Sequence, residues 1–317
     1  MRTFKVLFAF TSLSVALAVP TIVADVDNLV KRNPPSLRYP TQLTQGIIPA
    51  FIHSHNDYWR DVPLQDAIKF GVTSCEADVW YEPDSGDHTI YVGHESNALS
   101  KDRTLDSLYL GPLMQFLDQQ NTKNHIAAKL NVTQNMVGIW DTSGGRTLQL
   151  LVDVKVNGEQ LTPALDKVLK PFADKGYLTK FENGVLTNGP LTIVGTGATD
   201  LSYILGKKGP RYIFFDAPLA NLTTPPAPNV NWSPELSPIA SCDYEAVIGW
   251  RGITNITEQQ QQTVNTLVDQ AHKLGIKSRF WDTPATPIFA RNNVWKVLLE
   301  SGSDWLNADD LEAASSF

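Results

Sequence analysis

Four short stretches concentrate residues able to move protons or hold cations: His53-Ser54-His55-Asn56-Asp57-Tyr58, Glu76-Ala77-Asp78, Tyr91-Val92-Gly93-His94-Glu95 and Asp153-Val154-Lys155. Glu76 and Asp78 stand two apart, as do Asp153 and Lys155, and strand periodicity puts each pair on one face. Cys75, Ala77 and Val79, and likewise Leu150, Val152, Val154 and Val156, then take the opposite, apolar face. Two like charges side by side in a buried strand are costly unless a cation lies between them. Glu76, Asp78 and Asp153 make an oxygen-only ligand set of the kind that Mg²⁺ or Ca²⁺ prefers. His53 or His55, together with His94, can pass a proton either way near neutral pH. Lys155 adds a fixed positive charge for an anionic group. A hard cation, a lysine and two imidazoles around one point suit displacement at phosphorus, where charge on the non-bridging oxygens must be stabilised. The competing reading makes Asp153 and Lys155 a buried ion pair, an expensive arrangement seldom kept for stability alone.

Such residues need elements that bring them together. Apolar, β-rich runs recur at 50–53, 72–80, 89–93, 148–156, 192–195, 212–216, 246–250, 278–281 and 305–307. Helical patterns lie between them at 63–70, 113–120, 161–175, 201–205, 258–274 and 294–301, with 221–241 a proline-rich loop. No Gly/Ser linker or charge block divides the series. The alternation predicts an α/β fold, a single (β/α)8 TIM barrel, whose chemistry sits where strands end and βα loops begin. The candidate residues stand at such ends. Asp216 ends Phe214-Phe215-Asp216, where it could orient a base or contact substrate. Trp281 either walls the substrate cleft or packs, and Asn307 stands at a similar position. His88, His125 and His272 read as structural.

The 317 residues, 42% hydrophobic and 19% charged, can bury a large core. A net charge of −7 argues against an extended polyanion such as nucleic acid, which needs a basic footprint. The two cysteines exclude a disulfide scaffold, and a Cys75–Cys242 bridge is geometrically doubtful. Arg2 and Lys5 precede an apolar run from Val6 to Val19, and Ala16-Leu17-Ala18 has the small residues of a cleavage site. The reading is a signal peptide over 1–18, a pro-segment over 19–32 ending at Lys31-Arg32, and a barrel over 33–317. The apolar run is too short for a stable membrane span. Sequons at Asn131, Asn221 and Asn255 fit a secreted glycoprotein.

In order and spacing, these motifs resemble the phospholipase C-like phosphodiesterase superfamily, which includes glycerophosphodiester phosphodiesterases and sphingomyelinases D. The stretches at His53–Tyr58, Glu76–Trp80 and Val92–Glu95, with Arg279-Phe280-Trp281 and Asn307-Ala308-Asp309-Asp310-Leu311, are more closely similar to the altered-inheritance-of-mitochondria type six family within it. The resemblance runs from about Ile48 to Leu311. It implies a divalent metal on Glu76, Asp78 and Asp153, two catalytic histidines, and Lys155 near the phosphate. The sphingomyelinase D motif, with histidine and asparagine three apart, matches His53 and Asn56; it makes His53 the first choice and His55 the second, with a substrate-binding role for His55 and Asn56. Two departures stand out. Ser54 replaces the arginine that follows the first histidine in glycerophosphodiester phosphodiesterases, leaving Lys155 or Arg279 as the available phosphate contact. Glu95 replaces the usual aspartate after the second histidine.

The expected function is a secreted, metal-dependent phosphodiesterase acting on a phospholipid headgroup or a glycerophosphodiester-like small molecule, by attack of water or of a substrate hydroxyl. A monomer is expected. The alternatives are a secreted glycoside hydrolase using the acid pairs, or a barrel that only binds a lipid headgroup or glycan.

Overall fold

The computed structural model describes residues 39, 41–83, 86 and 88–317. The expected signal peptide 1–18 and pro-segment 19–32 lie outside the described residues. By its contacts the chain divides into two units, Met1–Gln42 and Leu43–Phe317, and every element named below belongs to the second.

Among the described residues eleven strands follow in chain order: β1 (Ala50–Ser54), β2 (Val72–Tyr81), β3 (Ile90–Val92), β4 (Leu148–Val154), β5 (Lys180–Glu182), β6 (Val185–Thr187), β7 (Leu191–Gly197), β8 (Ile213–Pro218), β9 (Ile239–Asp243), β10 (Lys277–Trp281) and β11 (Leu306–Ala308). Eight of them pair parallel in the order β10-β9-β8-β7-β4-β2-β1-β11. A parallel bridge between Arg279 and Trp305, with Trp305 N–H donating to Ser278 O at 3.0 Å, joins the two ends and closes the barrel. Helices over Gln65–Lys69, Gly111–Gln120, Gly158–Val168, Leu201–Gly206, Glu258–Lys273 and Ile288–Glu300 connect the strands. This is the expected (β/α)8 barrel. It explains why β2 is buried throughout except at Trp80: helices cover one face of the strand and the barrel interior the other.

The interior is layered. Leu151, Val194, Phe214, Ile239 and Trp305 form an apolar cluster separate from the core beneath the helices. Two residues further along, toward the strands' C-terminal ends, come Asp153, Thr196 and Asp216. The apolar layer is therefore the floor on which the charged layer stands. At the opposite end of the barrel, β5 and β6 form an antiparallel hairpin that the sequence does not announce.

Three expectations need correction. The strand expected at 246–250 is a short helix, Tyr244–Val247, followed by a turn; the strand is β9 just before it, beginning inside the stretch 221–241 read as a loop. Pro238 immediately precedes that strand, and Asp243 ends it by capping the helix, its carboxylate accepting from Ala246 N–H at 2.8 Å. The run at 89–93 is β3, antiparallel to β2 and outside the ring. The helix expected over 161–175 is two helices, Gly158–Val168 and Lys170–Asp174, divided at Leu169 ahead of Pro171. Cys75 and Cys242 are both free and buried.

Leu151 is fully buried in the floor. Its replacement by Ala should cost about 2–5 kcal/mol, the range for an unrelaxed core cavity, read as a lower urea midpoint with unchanged slope. A loss under about 1 kcal/mol would mean that this layer does not support the barrel.

Candidate active site

Register builds the acidic part of the site. Asp78 on β2 stands directly opposite Asp153 on β4, and Asp153 opposite Thr196 on β7. Glu76 lies one pleat deeper. Oxygen atoms of Glu76, Asp78 and Asp153 all fall within 4.8 Å of one another. Close approach requires Gly197: its φ is +62°, and a Cβ there would lie 2.0 Å from Asp153 Oδ1. Two cations hold this charge. Lys155, just beyond β4, places Nζ 2.8 Å from Asp78 Oδ2 and 2.6 Å from Asp153 Oδ2. Arg279, buried on β10, reaches Glu76 Oε1 at 3.4 Å while its Nε donates to Asn307 Oδ1 at 2.9 Å.

The loop after β1 supplies the imidazoles. Asp57, fully buried, accepts from Ser54 Oγ at 2.5 Å and from Leu64 N–H at 2.7 Å, which folds the loop back on itself. Asn56 takes a left-handed conformation, φ 48°, and donates its backbone N–H to Glu76 Oε2 at 2.9 Å. Tyr58 places its hydroxyl 2.5 Å from Asn56 Oδ1 and 2.8 Å from Asp78 Oδ2. Tyr58 and Gly197 received no role from the sequence. The signal for Tyr58 was its place inside a motif already rich in polar residues.

A cavity of about 260 Å³ opens over this floor, walled by His55, Asn56, His94, Asp216 and Trp281 and by the carboxylates, Lys155 and Arg279. All the expected catalytic, substrate-binding and metal-ligating residues meet here except His53, which is fully buried and not part of the wall. His53 Nδ1 lies 2.7 Å from Ser74 Oγ, and its Nε2, without a hydrogen-bond partner, is 3.9 Å from Glu76 Oε2. His55, the second choice, is the one that faces the cavity, with Nδ1 held by Asp309 at 2.9 Å. His94 stands across from it, half exposed, with Nδ1 3.2 Å from Glu95 Oε1. Glutamate thus orients this ring in place of the usual aspartate. His88, His125 and His272 are not in the wall.

Burial and charge set the protonation states. Burial, reinforced by Arg279, lowers His53 to about 3, so its imidazole is neutral. Burial opposes ionisation of Glu76, but Arg279 overrides it and holds the carboxyl well below its usual range. Burial, with Glu76 next to it, raises Asp78 to about 6 in spite of Lys155. Lys155 and Arg279 therefore under-compensate the three carboxylates. An oxygen-only set with excess negative charge fits a hard divalent cation, and these three residues could hold one.

A (β/α)8 barrel with an acidic trio and imidazoles at its C-terminal mouth defines the structural class. Residues 41–216 match the family model of the AIM6-like phosphodiesterase domain. The chain is 40% identical over 295 residues to an altered inheritance of mitochondria protein 6 homolog from Arthroderma benhamiae, covering 89% of this chain and 88% of that one. It is 35% identical to altered inheritance of mitochondria protein 6 from Zygosaccharomyces rouxii, over 87% of this chain and 71% of that one. The chain belongs to this AIM6-like phosphodiesterase family. Among solved structures, a glycerophosphodiester phosphodiesterase from Parabacteroides distasonis aligns over 86% of this chain and 97% of that one at 13% identity, with a TM-score of 0.44.

Asp216 gives the site a pH signature. Burial raises its carboxyl from 3.8 to about 7, so between these values the folded state keeps a proton that the unfolded chain has lost. Stability contributed by this group is present below about pH 4 and is lost as pH rises through 7. In EDTA-containing buffer, Asp216→Asn should gain on the unmodified protein by up to about 1.4 kcal/mol per pH unit across that window and level off above it. Denaturant unfolding at pH 4, 6 and 8 reads the difference; a gap independent of pH would show that Asp216 titrates normally.

Proposed function

We propose that the protein is a divalent-metal-dependent phosphodiesterase in which His55 and His94 carry the protons. The observation behind this reading is one polar cavity in which three clustered carboxylates, a lysine, a buried arginine and two accessible imidazoles converge. Glu76, Asp78 and Asp153 would hold the ion, which when bound supplies a Lewis acid to a phosphate oxygen. Arg279, kept in place by Asn307, takes over the phosphate contact that Ser54 leaves vacant. One imidazole accepts the proton of the attacking hydroxyl, from water or from the substrate itself. The new P–O bond forms as the bond to the leaving oxygen breaks, and the other imidazole returns a proton to that oxygen. His53, neutral and buried, supports Glu76 from below, so the proton-carrying role falls to His55 instead.

The cavity volume suits a headgroup phosphodiester. A neighbouring cavity of about 680 Å³ shares His55 and Asn56 and is lined in part by Trp59, Ile253 and Ile288, room for the remainder of a lipid-like or glycerophosphodiester-like substrate. Glycoside hydrolysis fits less well. It places its two carboxyl groups about 5–9.5 Å apart across the scissile bond, whereas Asp78 and Asp153 are bridged by a single ammonium group. The reading includes export by the secretory pathway, supported by the apolar run at Val6–Val19 and by the exposure of Asn131, Asn221 and Asn255 as glycan acceptors.

Turnover of bis-(p-nitrophenyl) phosphate, glycerophosphodiesters and lysophospholipids, with and without EDTA, tests the proposal. His55→Ala and His94→Ala should each lower kcat about 10²–10⁴-fold, and Asp78→Asn should remove the dependence on added Mg²⁺ or Ca²⁺ together with the activity. Turnover indifferent to chelator, or equal in all variants, would refute it. Phosphorus NMR of the first product separates the two nucleophiles, since only a substrate hydroxyl yields a cyclic phosphate.

A further inference from the structure

The end of the barrel away from the carboxylates holds a second cavity, of about 500 Å³. This is within the ~300–1,000 Å³ typical of small-molecule sites. Phe214 and Trp305 of the apolar floor form its base, and Leu186 of the β5–β6 hairpin is in its wall. At its mouth lies Phe51 with two cations over its ring: the Arg146 guanidinium 4.4 Å and Lys277 Nζ 4.5 Å from the ring centroid. The two cations are not equivalent. Lys277 shares its charge with Asp304, 3.6 Å away. Arg146 is half-buried and has no carboxylate within ion-pair distance among the described residues. A guanidinium over an aromatic face, without a carboxylate partner, keeps N–H donors available for an anion.

Three threonine hydroxyls of the wall pair with one another: Thr192 Oγ1 lies 2.9 Å from Thr147 Oγ1 and 2.7 Å from Thr179 Oγ1. Of the two cations at the mouth Lys277 is paired with Asp304, so charge recognition falls to Arg146. An apolar base beneath one uncompensated cation is complementary to a molecule with a hydrocarbon body and a single negative charge. We propose that the N-terminal mouth of the barrel is a second binding site, one that takes an amphiphilic monoanion with its carboxylate or sulfate on Arg146 and its chain against Phe214, Trp305 and Leu186. It shares no residue with the cavity above the carboxylates, and it does not depend on the phosphodiesterase reading.

Calorimetric titration of the full chain with decanoate, decylammonium and acetate, all below their micelle concentrations, tests it. Decanoate should bind saturably at one site with Kd under about 1 mM, decylammonium and acetate at least tenfold more weakly. Arg146→Gln should weaken decanoate about tenfold, and Leu186→Trp, which fills the cavity while leaving the charge, should do the same; circular dichroism confirms that both variants fold. Absent saturable binding of decanoate by the unmodified protein, equal affinity for decylammonium, or decanoate affinity unchanged in both variants would each overturn the proposal.

Discussion

Lys155 between Asp78 and Asp153 is the interaction on which the site depends. Parallel register sets the two aspartates side by side, and unpaired charges so deep would destabilise both strands. The lysine comes from the same strand run as Asp153, so the strand that brings the charge also brings its counter-ion. Glu76 has no such local partner. Its compensation is Arg279, on the far side of the barrel in the sequence and across the interior in space. Arg279 also makes the backbone bridge to Trp305 that closes the ring. One residue thus serves both the closure of the barrel, through its backbone, and the neutralisation of Glu76, through its side chain. Asn307, on β11, fixes the guanidinium at the seam.

Much of the acidic half was legible because two independent patterns coincide there. Period-two alternation assigns the faces of β2 and β4, and the presence of carboxylates on the inward face identifies those strand ends as a site. The order of the histidines was not legible. His53 and His55 share a face, and which of them meets the cavity is decided by where β1 ends and by the pairing of His53 with Ser74. Alternation carries neither fact. β9 was hidden for a simpler reason: five residues behind Pro238 offer too few alternations to outweigh the proline-rich stretch before them. The reach of Arg279 to Glu76 spans 203 positions of sequence, and no local pattern encodes it.

The apolar floor explains the direction of every unusual protonation state above it. Leu151, Val194, Phe214, Ile239 and Trp305 are buried and apolar, so groups seated on them gain no hydrogen bonds from below and are charged most readily where a counter-ion is within reach. Glu76 has Arg279 and stays ionised. His53 has the same arginine as an opponent and stays neutral. Asp216 lies beyond direct ion pairing and keeps its proton up to about pH 7. The neutral state of His53 suits the arrangement: an imidazolium next to Glu76 would compete with Arg279 for the same carboxylate.

The family match and the geometry divide this site between them. Residues 41–216 contain the three carboxylates, the histidines, Lys155 and Asp216. Arg279, Trp281 and Asn307 lie beyond that span, and only the closed barrel joins them to the rest. Under the proposed function, a phosphate held between the two halves would touch Lys155 on one side and Arg279 on the other. Substrate affinity and the β10–β11 seam would then be linked through one guanidinium, the one that Asn307 holds at 2.9 Å.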